Sequence, residues 1–283
     1  MAYANRTILV TGATGKQGGA LIDNLAGQGF TLRAMTRHPE GDAAAKLRAK
    51  GVEVVSGDLD DADSLTRALH GAWGVFGVQN TWEAGVEREE EQGKRLAQLA
   101  KAAGVHHYVY ASVGSAHKQT GIPHFENKWR VEETVRSLQF PSYVIYRPVF
   151  FMENLTSPWF LNGDAIYSAL EPSTVLQMIA VADIGKYLAA AFTRAEPLNG
   201  REFDIAGDAR TLPDTAAVIG RALGRAIRYV QIPLEEVRKN SEDFALMLDW
   251  FNKVGYSADI ERTSREFGIT PTRLEEWAKT ISS

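Results

Sequence analysis

The sequence predicts an α/β protein: a doubly wound parallel sheet with a smaller α/β lobe on its C-terminal side. Three observations predict it. Short β-branched runs alternate with helical apolar patterns through the first 150 residues, the rhythm of right-handed βαβ crossovers. Those runs are rich in Val, Ile and Tyr with little polar alternation, as expected of strands covered on both faces. Residues 7–18 read Thr-Ile-Leu-Val-Thr-Gly-Ala-Thr-Gly-Lys-Gln-Gly, a strand that runs straight into a glycine turn and a helix start.

The first strand is Ile8–Val10. The turn after it is Gly12-x-x-Gly15-x-x-Gly18, and Ala20, Leu21 and Leu25 begin the helical pattern. Gly12 lets the chain turn off the strand, Gly15 lets backbone approach a phosphate, and Gly18 lets the helix pack close to the sheet. Free amides at a helix N-terminus, with the positive end of the dipole, suit a diphosphate. The stretch Gly12, Ala13, Thr14, Gly15, Lys16, Gln17 and Gly18 therefore predicts a dinucleotide site. A nucleoside-triphosphate P-loop is excluded, because no Gly-Lys-Ser/Thr follows Gly12 at its spacing.

Leu32–Thr36 is the second strand, after a turn at Gly27–Gly29. Val52–Ser56 follows a helix around Ala43–Lys50, and Trp73–Val78 follows Asp63–Leu69. His107–Ala111 follows a long helix near Glu87–Ala103, and Tyr143–Tyr146 follows the helix near Phe125–Leu138. Past Pro148 the rhythm changes. Val149–Leu161 is aromatic and irregular. Ile179–Ala182 and Arg201–Ile205 read as short strands, and Thr215–Leu223, Leu234–Leu248 and Thr272–Thr280 as helices. Residues 1–150 are expected to bind the dinucleotide and 151–283 to form the substrate lobe, with a return to the first domain around Ile179–Ala195.

The end of the second strand distinguishes the two nicotinamide dinucleotides. An NAD site places Asp or Glu there for the ribose hydroxyls. This chain has Thr36-Arg37-His38-Pro39. A carboxylate would repel a 2′-phosphate, whereas the Arg37 guanidinium would pair with it. The expected cofactor is NADP(H), with Lys16 able to reach the same phosphate. Asp58-Leu59 follows the third strand, where adenine would lie; Asp58 either accepts from the adenine amino group or caps the next helix.

Short-chain dehydrogenase chemistry needs a proton donor and a lysine four residues apart on one helix face. Here the pair is His124-Phe-Glu-Asn-Lys128, with histidine where tyrosine is usual. Lys128 is a candidate to hold the nicotinamide ribose, and a cationic oxidised nicotinamide would lower its pKa toward acid–base work. His124 is a candidate proton donor. The plainer alternative is a solvated Lys128 and a His124 that caps the first turn. Ser112, at the end of the fifth strand, either orients substrate or closes a turn. No His-Glu-x-x-His or Gly-x-Ser-x-Gly occurs, and no metal site is expected.

The bulk numbers narrow the class. Of 283 residues, 45% are hydrophobic and 23% charged, which is ordinary for a globular chain. The chain has no cysteine, so no disulfide, thiolate nucleophile or zinc–thiolate site; this agrees with a cytoplasmic setting. A net charge of −4 gives no nucleic-acid footprint. The strand at Ile8 leaves no room for a signal peptide, and no apolar run is long enough to cross a bilayer, so no membrane is expected.

Together the motifs resemble the NmrA-like branch of atypical short-chain dehydrogenases/reductases, in particular its NADPH-sensing subgroup, over nearly the whole length. The pieces are Val10-Thr-Gly-Ala-Thr-Gly-Lys-Gln-Gly-Gly19, Thr36-Arg37-His-Pro39, Gly57-Asp58-Leu-Asp60, Val78-Gln-Asn-Thr-Trp-Glu83, His124-Phe-Glu-Asn-Lys128 and Arg147-Pro-Val-Phe-Phe-Met-Glu-Asn154. The resemblance implies a Rossmann-type fold with NADP(H) at Gly12–Gly18 and Arg37. It implies backbone contacts from Val78, Gln79 and Asn80, and a nicotinamide side lined by Phe150–Asn154, including Phe150 and Asn154. A lysine matching Lys128 is implicated in catalysis in the family's reductases, while other members bind cofactor without turnover and regulate protein partners.

Two functions follow as expectations. One is a reductase passing hydride to a small carbonyl, quinone or other unsaturated acceptor, in a pocket lined by Phe150, Phe151, Met152 and Trp82. The other is a non-catalytic NADP(H) redox sensor whose loops Thr81–Gly85 and Ser115–Ile122 order on binding and show a surface to a protein partner. The sequence leaves a homodimer open.

Overall fold

The structure is a computed structural model and describes Tyr3 and residues 5–281. The chain forms two compact units. The first comprises residues 1–112, 127–146 and 184–203; the second comprises 113–126, 147–183 and 204–283.

The first half of the chain alternates strand and helix: β1 Thr7–Val10, α1 Lys16–Leu25, β2 Thr31–Thr36, α2 Asp42–Ala49, β3 Glu53–Ser56, α3 Ala62–Leu69, β4 Gly74–Gly77, α4 Thr81–Ala84, α5 Val86–Ala102, β5 His107–Ala111, α6 Pro123–Ser137 and β6 Ser142–Pro148. Beyond it come β7 Phe150–Phe151, β8 Leu161–Asn162, β9 Ala165–Ser168, β10 Val175–Ile179, α7 Val181–Thr193, β11 Arg201–Ile205, β12 Asp208–Thr211, α8 Leu212–Ala222, β13 Arg228–Gln231, α9 Leu234–Arg238, α10 Glu242–Lys253, α11 Ile260–Phe267 and α12 Leu274–Ala278.

The first unit is built on a seven-stranded sheet ordered β11-β6-β5-β4-β1-β2-β3. Strands β1 to β6 pair in parallel, with Thr7 opposite Thr31 and Ile8 opposite Gly74. This is the expected Rossmann-type α/β architecture. One face is sealed by Leu65 and Leu69 of α3, Leu96 of α5, and Val131 and Val135 of α6, against Leu9, Val75, Tyr108, Tyr110 and Ile145. Each such fully buried aliphatic side chain contributes about 2 kcal/mol. On α1, Leu21, Ile22 and Leu25 are buried. A Cβ at Gly185 of α7 would lie 2.5 Å from the Ala20 carbonyl, so glycine permits close packing of α7 on α1.

The second unit holds two three-stranded sheets, β12-β10-β7 and β13-β9-β8. Strand β10 pairs antiparallel with β12 and parallel with β7. Met152, Leu155, Ile166, Met178, Leu212, Ile219, Leu248 and Trp277 form its core. Two expected elements differ. Ile179–Ala182 is not a strand: β10 ends at Ile179, and the Val181 N–H is taken by Glu153 Oε1 at 3.0 Å where α7 begins. Leu234–Leu248 is not one helix. It breaks after Arg238, and Ser241 caps α10 by accepting from the Phe244 N–H. Val149–Leu161 also carries structure, the short β7 and a 3₁₀ turn at Met152–Asn154.

Candidate functional site

The order of the first sheet reverses at β1, which lies between β2 and β4. The C-terminal ends of β1 and β4 therefore form the crevice where open α/β sheets bind ligands. Thr11 holds these ends together. Its buried hydroxyl donates to the Phe76 carbonyl at 3.0 Å and accepts from the Val78 N–H at 2.9 Å. Sequence reasoning passed over Thr11, whose partners lie more than 60 residues away.

The glycine turn follows directly. Gly12 has φ +56°, and the Gly15 N–H closes the turn onto the Gly12 carbonyl at 2.9 Å. A Cβ at Gly18 would lie 2.4 Å from that carbonyl oxygen, so the third glycine packs α1 against the turn itself. Gly15 is the N-cap of α1 and offers no side-chain hydrogen bond, and the first turn of α1 carries no acid. The positive end of the α1 dipole thus carries neither a side-chain cap nor a compensating acid. Thr14, Gly15 and Lys16 are exposed; Ala13 and Gly18 are buried, and Gln17 is half-buried.

At the end of β2, Arg37 is exposed and its Nη2 pairs with Glu83 Oε1 of α4. At the end of β3, Asp58 does not cap α3; Asp61 does, accepting from the Asp63 N–H. Asp58 Oδ1 instead accepts from the Asp60 N–H at 3.0 Å, and the Leu59 carbonyl accepts from Arg95 at 2.7 Å. After β4 come Val78, Gln79 and Asn80. Gln79 is buried, and among the described residues neither atom of its amide finds a hydrogen-bond partner. Asn80 caps α4 by accepting from the Trp82 N–H.

Lys128 lies on α6, in the first unit, and is not solvated. Its Nζ lies 2.7 Å from Glu89 Oε1, with the two side chains 12% and 1% exposed. Glu89 Oε2 accepts from Asn127 Nδ2 at 2.8 Å and from the Thr81 hydroxyl. Burial pushes the Glu89 carboxyl up, but the Lys128 charge and the bonds from Lys128, Thr81 and Asn127 outweigh it, so the group sits below the ordinary carboxylate value. Asn127 also donates to the Val86 carbonyl at 2.7 Å. Sequence reasoning missed Glu89, because it stands in the acidic run Glu87–Glu91, which reads as a solvated helix face. Its signal is the helical phase it shares with buried Gln92, Gly93 and Leu96.

Ser112 extends the β5–β6 pairing, its N–H donating to the Tyr146 carbonyl at 2.7 Å; its buried hydroxyl has no partner among the described residues. In the second unit, His124 meets Asp243 of α10. Its own N–H donates to Asp243 Oδ1 at 3.0 Å, and its Nδ1 pairs with Asp243 Oδ2. Asp243 stands 119 residues away and was also missed. Phe150 is buried in this unit's core with its ring on Phe160, centroids 5.1 Å apart, and Asn154 is half-buried in the 3₁₀ turn. The loop after β5 is fastened by Asp204, which accepts from the Ser115 N–H at 2.8 Å and pairs with buried Arg147. Among the described residues no cluster of His, Asp or Glu could hold a metal ion, and no helix is long and apolar enough to cross a membrane.

The sequence is 31% identical to the (4-alkanoyl-5-oxo-2,5-dihydrofuran-3-yl)methyl phosphate reductase of Streptomyces griseus, covering 95% of this chain and 92% of that one. Two solved structures share the fold. One is NmrA, a negative transcriptional regulator, in complex with NADP (TM-score 0.80, 23% identity, 98% and 95% coverage). The other is the NADPH-dependent quinone oxidoreductase QOR2 of Escherichia coli, complexed with NADPH (TM-score 0.83, 24% identity, 98% and 100% coverage). The NmrA-like family model matches residues 4–278. With that match over nearly the whole chain, and a sheet reversal and glycine turn of the kind its motifs predict, the protein belongs to the NmrA-like family.

Proposed function

We propose that this chain is an NADP(H)-dependent reductase that passes hydride to a small carbonyl, quinone or other unsaturated acceptor. The observation that carries the reading is the start of α1, with no side-chain cap, at the sheet's reversal point, together with a β2 end that supplies an arginine and no acid of its own. The residues fit the cofactor. Backbone amides in the first turn of α1, Lys16 to Gly18, suit the diphosphate, and a Cβ at Gly18 would collide with the turn that forms the cradle. Arg37 suits the 2′-phosphate, with Lys16 beside it in the turn. Val78, Gln79 and Asn80 line the end of β4, and the unpartnered Gln79 amide and Ser112 hydroxyl are groups a ligand would satisfy. Asp58 and Leu59 are assigned to the adenine side.

When bound, NADPH supplies the hydride. Lys128 Nζ would hold the nicotinamide ribose, its charge fixed in place by Glu89. His124, oriented through Nδ1 by Asp243, is assigned as proton donor. Phe150 and Asn154 are assigned to the nicotinamide side, and residues 151–283 to the substrate lobe. A small-molecule substrate and a cytoplasmic setting belong to the same proposal. The relatives support it: the S. griseus protein and the E. coli protein are named as reductase and oxidoreductase.

One observation favours the sensor reading. Lys128 is already engaged by a buried carboxylate, and the family includes a transcriptional regulator crystallised with NADP. NADPH oxidation against a panel of quinones, aldehydes and dyes separates the two. Turnover that disappears in Lys128→Ala supports the reductase. Tight NADPH binding with no turnover on any acceptor supports a sensor acting on a protein partner.

A further inference from the structure

We propose that Glu83 of α4 is a specificity-determining residue: its carboxylate pairs with the Arg37 guanidinium, so a ligand's 2′-phosphate must compete with it for that charge. The inference rests on the assignment of Arg37 to that phosphate. By sequence, the end of β2 carries no acid. In space it does, because Glu83 arrives from an element 46 residues later and pairs with Arg37 Nη2.

The pairing is not a chance meeting of two long side chains. Helix α4 is fixed from within. Asn80 caps it through the Trp82 N–H, the Glu83 and Ala84 N–H groups donate to the Asn80 carbonyl at 3.1 and 3.0 Å, and the Gly85 N–H donates to Thr81 at 2.8 Å. Thr81 is buried, and its hydroxyl donates to Glu89, the carboxylate that also holds Lys128. The backbone at residue 83 is therefore set before Arg37 is engaged, which lowers the entropic cost of the pair. One short helix is thus tied at both ends to a cation assigned to the cofactor, directly at Arg37 and through Glu89 at Lys128.

The consequence is a weakened preference for the phosphorylated cofactor. A carboxylate on the guanidinium competes with a 2′-phosphate, and it leaves unphosphorylated adenosine unopposed, since an acid at this place accepts from ribose hydroxyls. Both side chains are about half exposed, so the pair is screened and the effect is modest.

The test is calorimetry with 2′,5′-ADP and 5′-AMP, which isolate the adenosine end, on wild type, Glu83→Gln, Arg37→Ala and the double variant. Glu87→Gln controls for the general field of the acidic helix. Glu83→Gln is expected to tighten 2′,5′-ADP about two- to fivefold, the range of a half-exposed ion pair. It is expected to leave 5′-AMP unchanged or weaker, and to have no effect in the Arg37→Ala background. Equal tightening of both ligands, an equal effect of Glu87→Gln, or no change in 2′,5′-ADP overturns the proposal. If Arg37→Ala weakens 2′,5′-ADP while Glu83→Gln is silent, only the role of Glu83 falls. If Arg37→Ala leaves 2′,5′-ADP unaffected, the assignment of Arg37 falls with it.

Discussion

Replacing Glu89 by Gln probes a buried ion pair of the first unit. The carboxylate is 1% exposed and accepts from Lys128, Asn127 and Thr81. A glutamine amide keeps one acceptor oxygen and gains two donors. Whichever way it turns, its NH₂ faces a donor: Lys128 Nζ on one side, or Asn127 Nδ2 on the other. The Lys128 ammonium also loses its counter-charge in a site where it is itself only 12% exposed. Breaking a buried pair from one side costs about 3–5 kcal/mol, and the residual exposure of Lys128 puts the expectation at the low end, about 3 kcal/mol. The assay is urea unfolding followed by circular dichroism. Lys128→Met, which strands the carboxylate, is expected to cost at least as much, whereas Glu89→Gln/Lys128→Met is expected to be more stable than Lys128→Met alone. Additive effects, or a Glu89→Gln variant within about 0.5 kcal/mol of wild type, would refute the reasoning. The same cycle guards the activity test, because the double variant separates a lost lysine from a stranded charge.

Other outcomes follow from the same structure. His107 is buried with Nδ1 on Ser142 Oγ at 2.8 Å, and burial holds its pKa down at about 3 against an ordinary 6.5. Between those values the unfolded chain takes a proton that the folded chain refuses. Stability is therefore full above pH 6.5 and falls by up to about 1.4 kcal/mol per pH unit as pH drops toward 3. His107→Gln should flatten the urea-derived slope between pH 6.5 and 5. Glu89, held below the ordinary value of 4.5, contributes stability above that value that is lost below it, and Glu89→Gln should remove that lower limb. Gly18→Ala places a Cβ 2.4 Å from the Gly12 carbonyl, and NADPH affinity measured by fluorescence should weaken about tenfold or more.

The strands and glycine turn were legible because their signals are local. A β-branched run followed by Gly12-x-x-Gly15-x-x-Gly18 specifies its backbone within a dozen residues. The break between α9 and α10 was also written locally: the polar stretch Arg238–Asp243 interrupts the apolar pattern, and Ser241-Glu-Asp within it is a helix start. The strand expected at Ile179–Ala182 failed for a different reason. A short apolar run does not distinguish strand from helix, and what starts α7 is Glu153, 28 residues upstream. The polar partners of the site were not legible at all. Thr11 and Val78, Lys128 and Glu89, His124 and Asp243, and Arg37 and Glu83 meet only through the fold, and each acidic member lies in a stretch that reads as solvated surface.

Titration calorimetry of the purified chain with NADPH and with NADH tests the central claim most directly. A charge-assisted pair at Arg37 predicts that NADPH binds about tenfold tighter than NADH, and that Arg37→Ala erases the difference. Binding of neither dinucleotide, or tighter binding of NADH, would contradict it.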